Sequence, residues 1–174
     1  MNFVLIQVIG AIAFVALTGS YYLKEKKNIL FMHIIAYIMF TIHYYLLSGI
    51  TGAICNAIGL VALLSIYIIE KFKWKNKNLV AGIFIILIFI INIVTFQNIF
   101  SIFPMIASII VIVSFLLDNE DYIRGIGLIS AVCWLIYAIV YKSYISIGFE
   151  VFTIIGTLIA FAKNAKNPNY KIKK

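Results

Sequence analysis

The sequence has few charged residues, few prolines and few cysteines, and each shortage narrows the class of protein. Only 11% of its 174 residues are charged while 64% are hydrophobic, whereas soluble domains carry about 25% charged residues. With two prolines in the chain, long segments can form uninterrupted helix. The two cysteines, Cys55 and Cys133, lie in apolar segments and indicate buried side chains, not a disulfide or a metal site. The composition therefore excludes an ordinary soluble domain.

Acidic residues are scarcer than basic ones, six against 14, and the net charge is +8. A basic protein can bind nucleic acid, but here the basic residues are spread over short loops between apolar segments, which fits an anionic membrane surface better. We therefore predict the lipid bilayer as a partner and no nucleic acid. The sequence has no nucleophile–base pair, metal-ligand cluster or glycine-rich phosphate loop, so we expect neither an enzyme nor a bound cofactor or metal.

Breaks in the apolar pattern predict an all-α, polytopic membrane protein with seven transmembrane helices. A span needs about 20 mostly apolar residues, and charged or turn-forming residues separate six apolar segments. One of these, Leu79–Leu117, is too long for a single span, and Gln97, Asn98 and Pro104 divide it in two. The predicted spans are Phe3–Leu23, Ile29–Leu47, Gly52–Ile69, Leu79–Phe96, Ser101–Leu117, Ile123–Val140 and Tyr144–Ala162.

The basic residues predict how the spans are oriented. With seven spans, the loops after the first, third and fifth span lie on the same side as the tail, and together they hold every basic residue except Lys142. Cytoplasmic loops are rich in Lys and Arg, so we expect the N-terminus outside and the C-terminal tail in the cytoplasm. Tyrosines near the predicted outer ends, Tyr44 and Tyr45 among them, are interpreted as an interfacial belt.

The pattern also indicates two copies of one three-helix unit. A shift of 94 residues places the first three spans on the last three, turn on turn, with Ser48 falling on Lys142. Because the copies begin four spans apart, they point the same way across the membrane. The prediction is two parallel three-helix bundles joined by a linker helix, a 3+1+3 arrangement. Its parts are residues 1–70 (first bundle), 71–98 (basic loop and linker helix), 99–163 (second bundle) and 164–174 (cytoplasmic tail).

Glu150 is the most informative residue, because it alone among the acidic residues lies inside a predicted span. A carboxyl group in hydrocarbon costs several kcal/mol and usually faces a cavity or a partner. The shift of 94 residues places Glu150 on Asn56, the most polar side chain of the third span. The alternative interpretation is that the last span begins later and that Glu150 merely reaches the outer surface.

A layer of aromatic side chains accompanies this polar pair. The same shift pairs Trp134 with Phe40, and within each hairpin the aromatic and the polar residue are equally far from the turn. At 1.5 Å per residue all four lie about 10 Å below the outer face, a layer that can hold a small polar ligand. Tyr137 and His43 are also paired, nearer the outer face. Taken singly, each of these residues is explained by packing or an interhelical hydrogen bond. The candidate ligand-binding residues are Phe40, His43, Asn56, Trp134, Tyr137 and Glu150.

Short motifs in several spans resemble a known family. They are GAIAF at 10–14, HYYLLSG at 43–49, NAI at 56–58 and CW at 133–134. In this order and spacing, the chain resembles the YgjV-type bacterial inner-membrane proteins over nearly its whole length. The resemblance implies the bacterial cytoplasmic membrane as its location. The 3+1+3 layout is similar to that of the SWEET and PQ-loop carriers of sugars and metabolites.

The second resemblance implies roles for four residues. In that superfamily an aromatic residue in the second helix of each bundle and an asparagine in the third bracket the solute. The matching residues here are Phe40, Asn56, Trp134 and Glu150. Glu150 replaces the second asparagine, which implies a cationic solute or a coupled proton in place of a neutral sugar. The Pro-Gln pair expected in the first helix of each bundle is missing.

We therefore expect a small-solute transporter that alternates access between its two bundles. The solute is expected to be small and polar or cationic, and self-association into a homo-oligomer stays open. The alternative is a non-transporting ligand sensor, sorting receptor or assembly factor of the same architecture. Such a protein would bind a ligand without moving it and would contact its partners through the basic cytoplasmic loops.

Overall fold

Seven α-helices make up the computed structural model, which describes residues 2–20, 26–72, 76–114, 116–117 and 120–166. Within these ranges there is no β-strand, and the predicted all-α class is confirmed. The predicted loop positions 21–25, 73–75 and 118–119 and the end of the predicted tail lie outside the described residues. The helices are α1 (Phe3–Ser20), α2 (Lys26–Leu46), α3 (Ile50–Lys71), α4 (Lys77–Val94), α5 (Ile102–Ser114), α6 (Glu120–Val140) and α7 (Tyr144–Lys166).

The helix ends differ from the predicted spans because hydrophobicity marks the membrane and not the limits of a helix. α2 begins at Lys26 and α6 at Glu120, since Lys and Glu are good helix formers. α7 continues to Lys166, so the first residues of the predicted tail are helical. α5 is the shortest helix and ends at Ser114, before the predicted end at Leu117.

The predicted division of the long apolar segment falls between α4 and α5. A single 3₁₀ turn, Ile99–Ser101, precedes α5, and the side chain of Asn98 accepts a hydrogen bond of 3.0 Å from the N–H of Phe100. Pro104 lies in the first turn of α5, where its missing N–H leaves no helical hydrogen bond unmade. The residues that suggested a break in the sequence therefore build the cap of the next helix.

Two helices are long and apolar enough by themselves to cross a membrane. They are the stretch Ile50–Ile69 of α3 and all of α4, Lys77–Val94. Within the described residues, the other five helices contain shorter apolar stretches of 10–17 residues.

Six of the helices pack in a closed ring. α1 packs on α2, α2 on α3, α3 on α5, α5 on α6, α6 on α7, and α7 returns to α1. α4 packs against α3 and α5 and buries only Ala81, Ile88 and Asn92, so it lies outside the ring. The contact of α3 with α5 and the contact of α7 with α1 are called the two seams below, because each joins an early helix to a late one.

The two hairpins of the ring are built alike. α2 and α6 have the same bounds after a shift of 94 residues. Each is followed, two residues after its end, by a turn residue of positive φ: Ser48 (63°) after α2 and Lys142 (53°) after α6. The N–H of Gly49 donates to the carbonyl of Tyr44, as the N–H of Ser143 does to Ala138. This pattern is the Schellman motif that ends helices with a left-handed residue. We call the end of the ring that carries these two turns the turn end.

Candidate ligand-binding cavity

A cavity of about 300 Å³ lies inside the ring. All six ring helices contribute to its wall, and among the described residues none from α4 does. Cavities between the helices of a bundle are common ligand sites, and this volume is at the lower end of the usual range of about 300–1,000 Å³. One wall residue from each ring helix, in chain order, is Leu17, Phe40, Asn56, Val111, Trp134 and Glu150.

The structure brings together four of the six candidate residues named from the sequence. Phe40, Asn56, Trp134 and Glu150 all line the cavity. α7 begins at Tyr144, so Glu150 lies in its second turn, and only 9% of the residue is exposed. Its side chain therefore belongs to the cavity wall and does not reach the surface as the alternative interpretation required.

The carboxylate of Glu150 has no hydrogen bond or ion pair with any group in the described part of the chain. Tyr44 interacts electrostatically with Glu150 and forms a hydrogen bond with Ser146, one turn earlier on α7. Buried charges in proteins are normally paired. An unpaired carboxylate in a cavity is therefore stabilised when it binds a cationic ligand or a proton.

Two other polar groups of the wall have unused capacity. Asn56 donates its amide N–H to the carbonyl of Gly52 at 3.0 Å, and no described group donates to its Oδ1. The hydroxyl of Thr153 is buried and has no hydrogen-bond partner among the described residues. Ser130, by contrast, already donates to the carbonyl of Ala107 at 3.2 Å. The groups left for a ligand thus include the Glu150 carboxylate and the Asn56 Oδ1 as acceptors, the second N–H of the Asn56 amide as a donor, and the Thr153 hydroxyl.

Four rings form a continuous aromatic wall along one side of the cavity: Phe149, Phe40, Tyr44 and Trp134. The ring centres of Phe149 and Phe40 are 6.1 Å apart, and those of Phe40 and Tyr44 are 6.5 Å apart. Tyr44 stacks on Trp134 at 5.6 Å with planes inclined by 29°. These spacings are typical of favourable aromatic pairs, so the wall holds its shape without a ligand.

His43 lies outside the cavity wall, where it ties three helices together near the turn end. It is fully buried, with Nδ1 2.8 Å from the carbonyl oxygen of Ile6 and Nε2 2.6 Å from Oγ of Ser143. A carbonyl oxygen only accepts hydrogen bonds, so Nδ1 donates to Ile6, and Nε2 shares a hydrogen bond with the hydroxyl of Ser143. A methyl group at Gly10 would lie 2.8 Å from the imidazole. Both ring nitrogens are therefore engaged within the protein.

Tyr137 holds the equivalent place in the second hairpin and is likewise outside the cavity wall. It is fully buried, and its hydroxyl oxygen accepts a hydrogen bond of 3.0 Å from the N–H of Gly52 in the first turn of α3. That N–H is one of the donors that a helix leaves without an internal partner. Tyr137 therefore caps α3 from the other hairpin and has no group directed at the cavity.

Two glutamines cross the seams at the turn end. Gln7 of α1 donates from Nε2 to the carbonyl of Lys142 (3.1 Å), and its Oε1 accepts from the N–H of Ile145 (3.3 Å). Gln97, just before α5, donates to the carbonyl of Ser48 (3.0 Å) and accepts from the N–H of Ile50 (3.1 Å). Each glutamine therefore clamps the hairpin turn on the far side of its seam, and we call the pair the glutamine clamps.

Sequence reasoning missed several residues of the cavity and its surroundings. Tyr44, interpreted from the sequence as part of an interfacial belt, is only 2% exposed and lines the cavity, whereas its neighbour Tyr45 is 63% exposed. The signal that distinguishes them is the four-residue spacing from Phe40, which puts Tyr44 on the cavity face of α2. Gln7 could have been identified from the sequence, because it is the one polar side chain between Phe3 and Leu17.

Comparison with known proteins identifies the family and no more. A family model described as bacterial inner membrane protein, Imp-YgjV, matches residues 4–167. No curated protein and no solved structure matches the chain. The match covers nearly all of the chain, including every ring helix and α4, and it confirms the family suggested by the sequence motifs. The chain therefore belongs to the YgjV family of bacterial inner membrane proteins.

Proposed function

We propose that this protein is a small-solute transporter of SWEET-like architecture, which exposes its cavity alternately to the two sides of the membrane. Seven helices span the bilayer, with the N-terminus outside and the C-terminal tail in the cytoplasm. α1–α3 and α5–α7 act as two three-helix bundles, and α4 is the linker between them. The placement of basic residues supports this orientation, and the matched Schellman turns at Ser48 and Lys142 support the division into two bundles.

The observation that carries the proposal is a mostly apolar cavity between the bundles, with the carboxylate of Glu150 and the amide of Asn56 in its wall, whose turn end is tied across both seams. Gln7 ties α1 to the α6–α7 turn, and Gln97 ties the start of the second bundle to the α2–α3 turn. The ties are hydrogen bonds, which are worth about 0.5–1.5 kcal/mol each. They can break and re-form, so a rotation of one bundle against the other would open the cavity at the turn end.

The cavity residues supply the contacts that a carrier needs. In this proposal the solute lies against Phe40 and Trp134, Asn56 accepts a hydrogen bond from it, and Glu150 pairs with a positive group or exchanges a proton. The likeness to the SWEET and PQ-loop carriers consists of these four positions and the two-bundle layout. Catalysis has no part in the proposal, and the chain is expected to act without a cofactor.

Alternating access can be tested without knowing the solute. In a background with Cys55→Ala and Cys133→Ala, Ala131→Cys places one thiol in the cavity wall, where Ala131 is 3% exposed. A membrane-impermeant thiol reagent is then added to either side of oriented vesicles. We expect labelling from both sides, because the thiol is exposed to each in turn. Loss of the glutamine clamps in Gln7→Ala with Gln97→Ala should increase labelling from the turn end several-fold.

The matched control is Asn78→Ala, which removes an exposed amide at the start of α4, the end of that helix opposite Gln97. It should leave both labelling rates unchanged. Labelling from one side only, unaltered by loss of the clamps, would contradict the transporter proposal. That result, together with ligand binding but no flux in proteoliposomes, would favour the sensor, receptor or assembly-factor alternative.

A further inference from the structure

We infer that the cavity binds a small protonated amine, whose ammonium group pairs with Glu150 and lies against the aromatic wall. The inference rests on the cavity being a ligand site, as proposed above. It does not depend on the ligand being moved across the membrane.

The first argument is the charge of the cavity. Glu150 is 9% exposed and has no ion pair with a described residue. Among the described wall residues, His33 is the only one that can carry a positive charge. An ionised carboxylate taken out of water loses several kcal/mol of hydration unless a cation replaces it. A monovalent cation brought by the ligand balances the single carboxylate.

The second argument is the kind of hydrogen-bonding group that the wall leaves unused. The two carboxylate oxygens and the Oδ1 of Asn56 are acceptors, the second N–H of the Asn56 amide is a donor, and the Thr153 hydroxyl can accept as well as donate. A neutral sugar presents hydroxyl groups that need donors and acceptors in similar number. A primary ammonium presents three donors and no acceptor, which matches the acceptor oxygens of Glu150 and Asn56, the larger part of this set.

The third argument is the aromatic wall. Rings within about 6 Å of a cation attract it through their quadrupole, by about 0.5–2 kcal/mol each. Glu150 directly follows Phe149, the first ring of the wall, and interacts electrostatically with Tyr44, the third. A cation that pairs with the carboxylate is therefore expected close to the aromatic wall. The same wall accommodates an apolar or aromatic body attached to the ammonium group.

Calorimetric titration of the purified full chain in detergent tests the inference with a matched pair of probes. Benzylamine is a cation at neutral pH, and benzyl alcohol has nearly the same shape without the charge. We expect wild-type protein to bind benzylamine roughly 10- to 100-fold more tightly than benzyl alcohol, the range for a hydrogen bond to a charged group. Glu150→Gln should abolish this preference. Titration of this variant in the same detergent also measures how much of each probe partitions into the micelles.

Glu150→Asp and Thr153→Val serve as further variants. The first keeps the charge on a shorter side chain and should retain the preference for the amine at reduced affinity. The second removes one hydroxyl at constant shape and should weaken amine binding by a few-fold. Equal affinity for the two probes, no binding of either, or an amine preference that survives Glu150→Gln would overturn the inference.

The outcomes separate this inference from the proposed transport. Amine binding that depends on Glu150, with a cavity thiol labelled from one side only, leaves the amine site standing and removes the transporter. Labelling of the cavity thiol from both sides, with no preference for benzylamine, leaves the transporter proposal standing and removes the amine site.

Discussion

Substitution of Gly52 by alanine tests the packing of the two hairpins at the turn end. A methyl group at Gly52 would overlap Cε1 of Tyr137 and would lie 3.0 Å from Cζ and 3.1 Å from the hydroxyl oxygen. The phenol ring cannot move aside easily, because it is fully buried. Its ring centre is 5.4 Å from that of Tyr44, 6.1 Å from Trp134 and 4.5 Å from Tyr141.

The size of the effect follows from three terms. Overpacking of a filled interior costs about 1–3 kcal/mol. Displacement of the Tyr137 ring would also lose its hydrogen bond to the Gly52 N–H, about 0.5–1.5 kcal/mol. Alanine returns up to about 1 kcal/mol through its higher helix propensity. We therefore expect Gly52→Ala to lower the free energy of unfolding by about 1–3 kcal/mol.

Unfolding by sodium dodecyl sulfate in mixed micelles, followed by tryptophan fluorescence, measures this loss. Gly148→Ala on α7 is the matched control, since a methyl group there meets no atom within 4 Å, and it should be neutral or slightly stabilising. In a Tyr137→Ala background the clash is gone, so the Gly52 substitution should no longer destabilise. The reasoning fails if Gly52→Ala is as stable as the control, or if its cost is the same with and without the Tyr137 ring.

Three further predictions concern the same end of the molecule. Tyr137→Phe should lower the free energy of unfolding by about 1–3 kcal/mol, because it leaves the buried N–H of Gly52 without a partner. Urea or detergent titration measures this loss, and an unchanged unfolding midpoint would refute the capping role of Tyr137. Gln7→Ala and Gln97→Ala should each lower the free energy of unfolding by about 1–2 kcal/mol. The two effects should add, because the clamps lie on different seams, and strong non-additivity in the double variant would show that the seams are not independent. Lys142→Cys should react with an impermeant thiol reagent from the periplasmic side of intact cells, and reaction only from inverted vesicles would reverse the proposed orientation.

The sequence predicted the elements and the cavity layer because both follow from simple distances along the chain. Helices appear wherever charge is absent for about 20 residues. Phe40 and Asn56, like Trp134 and Glu150, are eight residues on either side of a turn, so an antiparallel hairpin must bring each pair to one depth. The structure places all four in the cavity wall.

His43 and Tyr137 were predicted from their pairing under the shift of 94 residues and from their depth, and neither determines which way a side chain points. Each lies three residues after a wall residue, Phe40 or Trp134, which turns it about 60° away from the cavity on a helix of 3.6 residues per turn. Both therefore point towards the turn end and the seams. The equivalence of the two positions was informative, because both residues pack at the turn end, outside the cavity wall.

The glutamine clamps could not be predicted, because their partners are backbone groups. Gln97 was interpreted only as a break between spans. That interpretation does not predict a hydrogen bond to the carbonyl of Ser48, which lies far away in sequence. The carbonyl and N–H groups at the hairpin turns are exposed by the Schellman geometry and by the helix N-terminus that follows. Any long amide side chain from a neighbouring helix can satisfy them, so only the packed ring reveals which one does.

The strength of the clamps bears on how the cavity could open. The two glutamines together make four hydrogen bonds across the seams, and at about 1 kcal/mol each they favour the closed turn end by about 4 kcal/mol. A ligand must change its affinity by about 5.5 kcal/mol between two states to carry a protein from one to the other almost completely. In the proposed transport cycle, the clamps would favour the closed turn end without ligand, and a ligand would have to bind the open form better by more than about 4 kcal/mol to open it. Clamps much stronger than this would keep the seams closed against a ligand, whereas much weaker clamps would leave closure of the turn end to the His43–Ser143 and Tyr137–Gly52 hydrogen bonds.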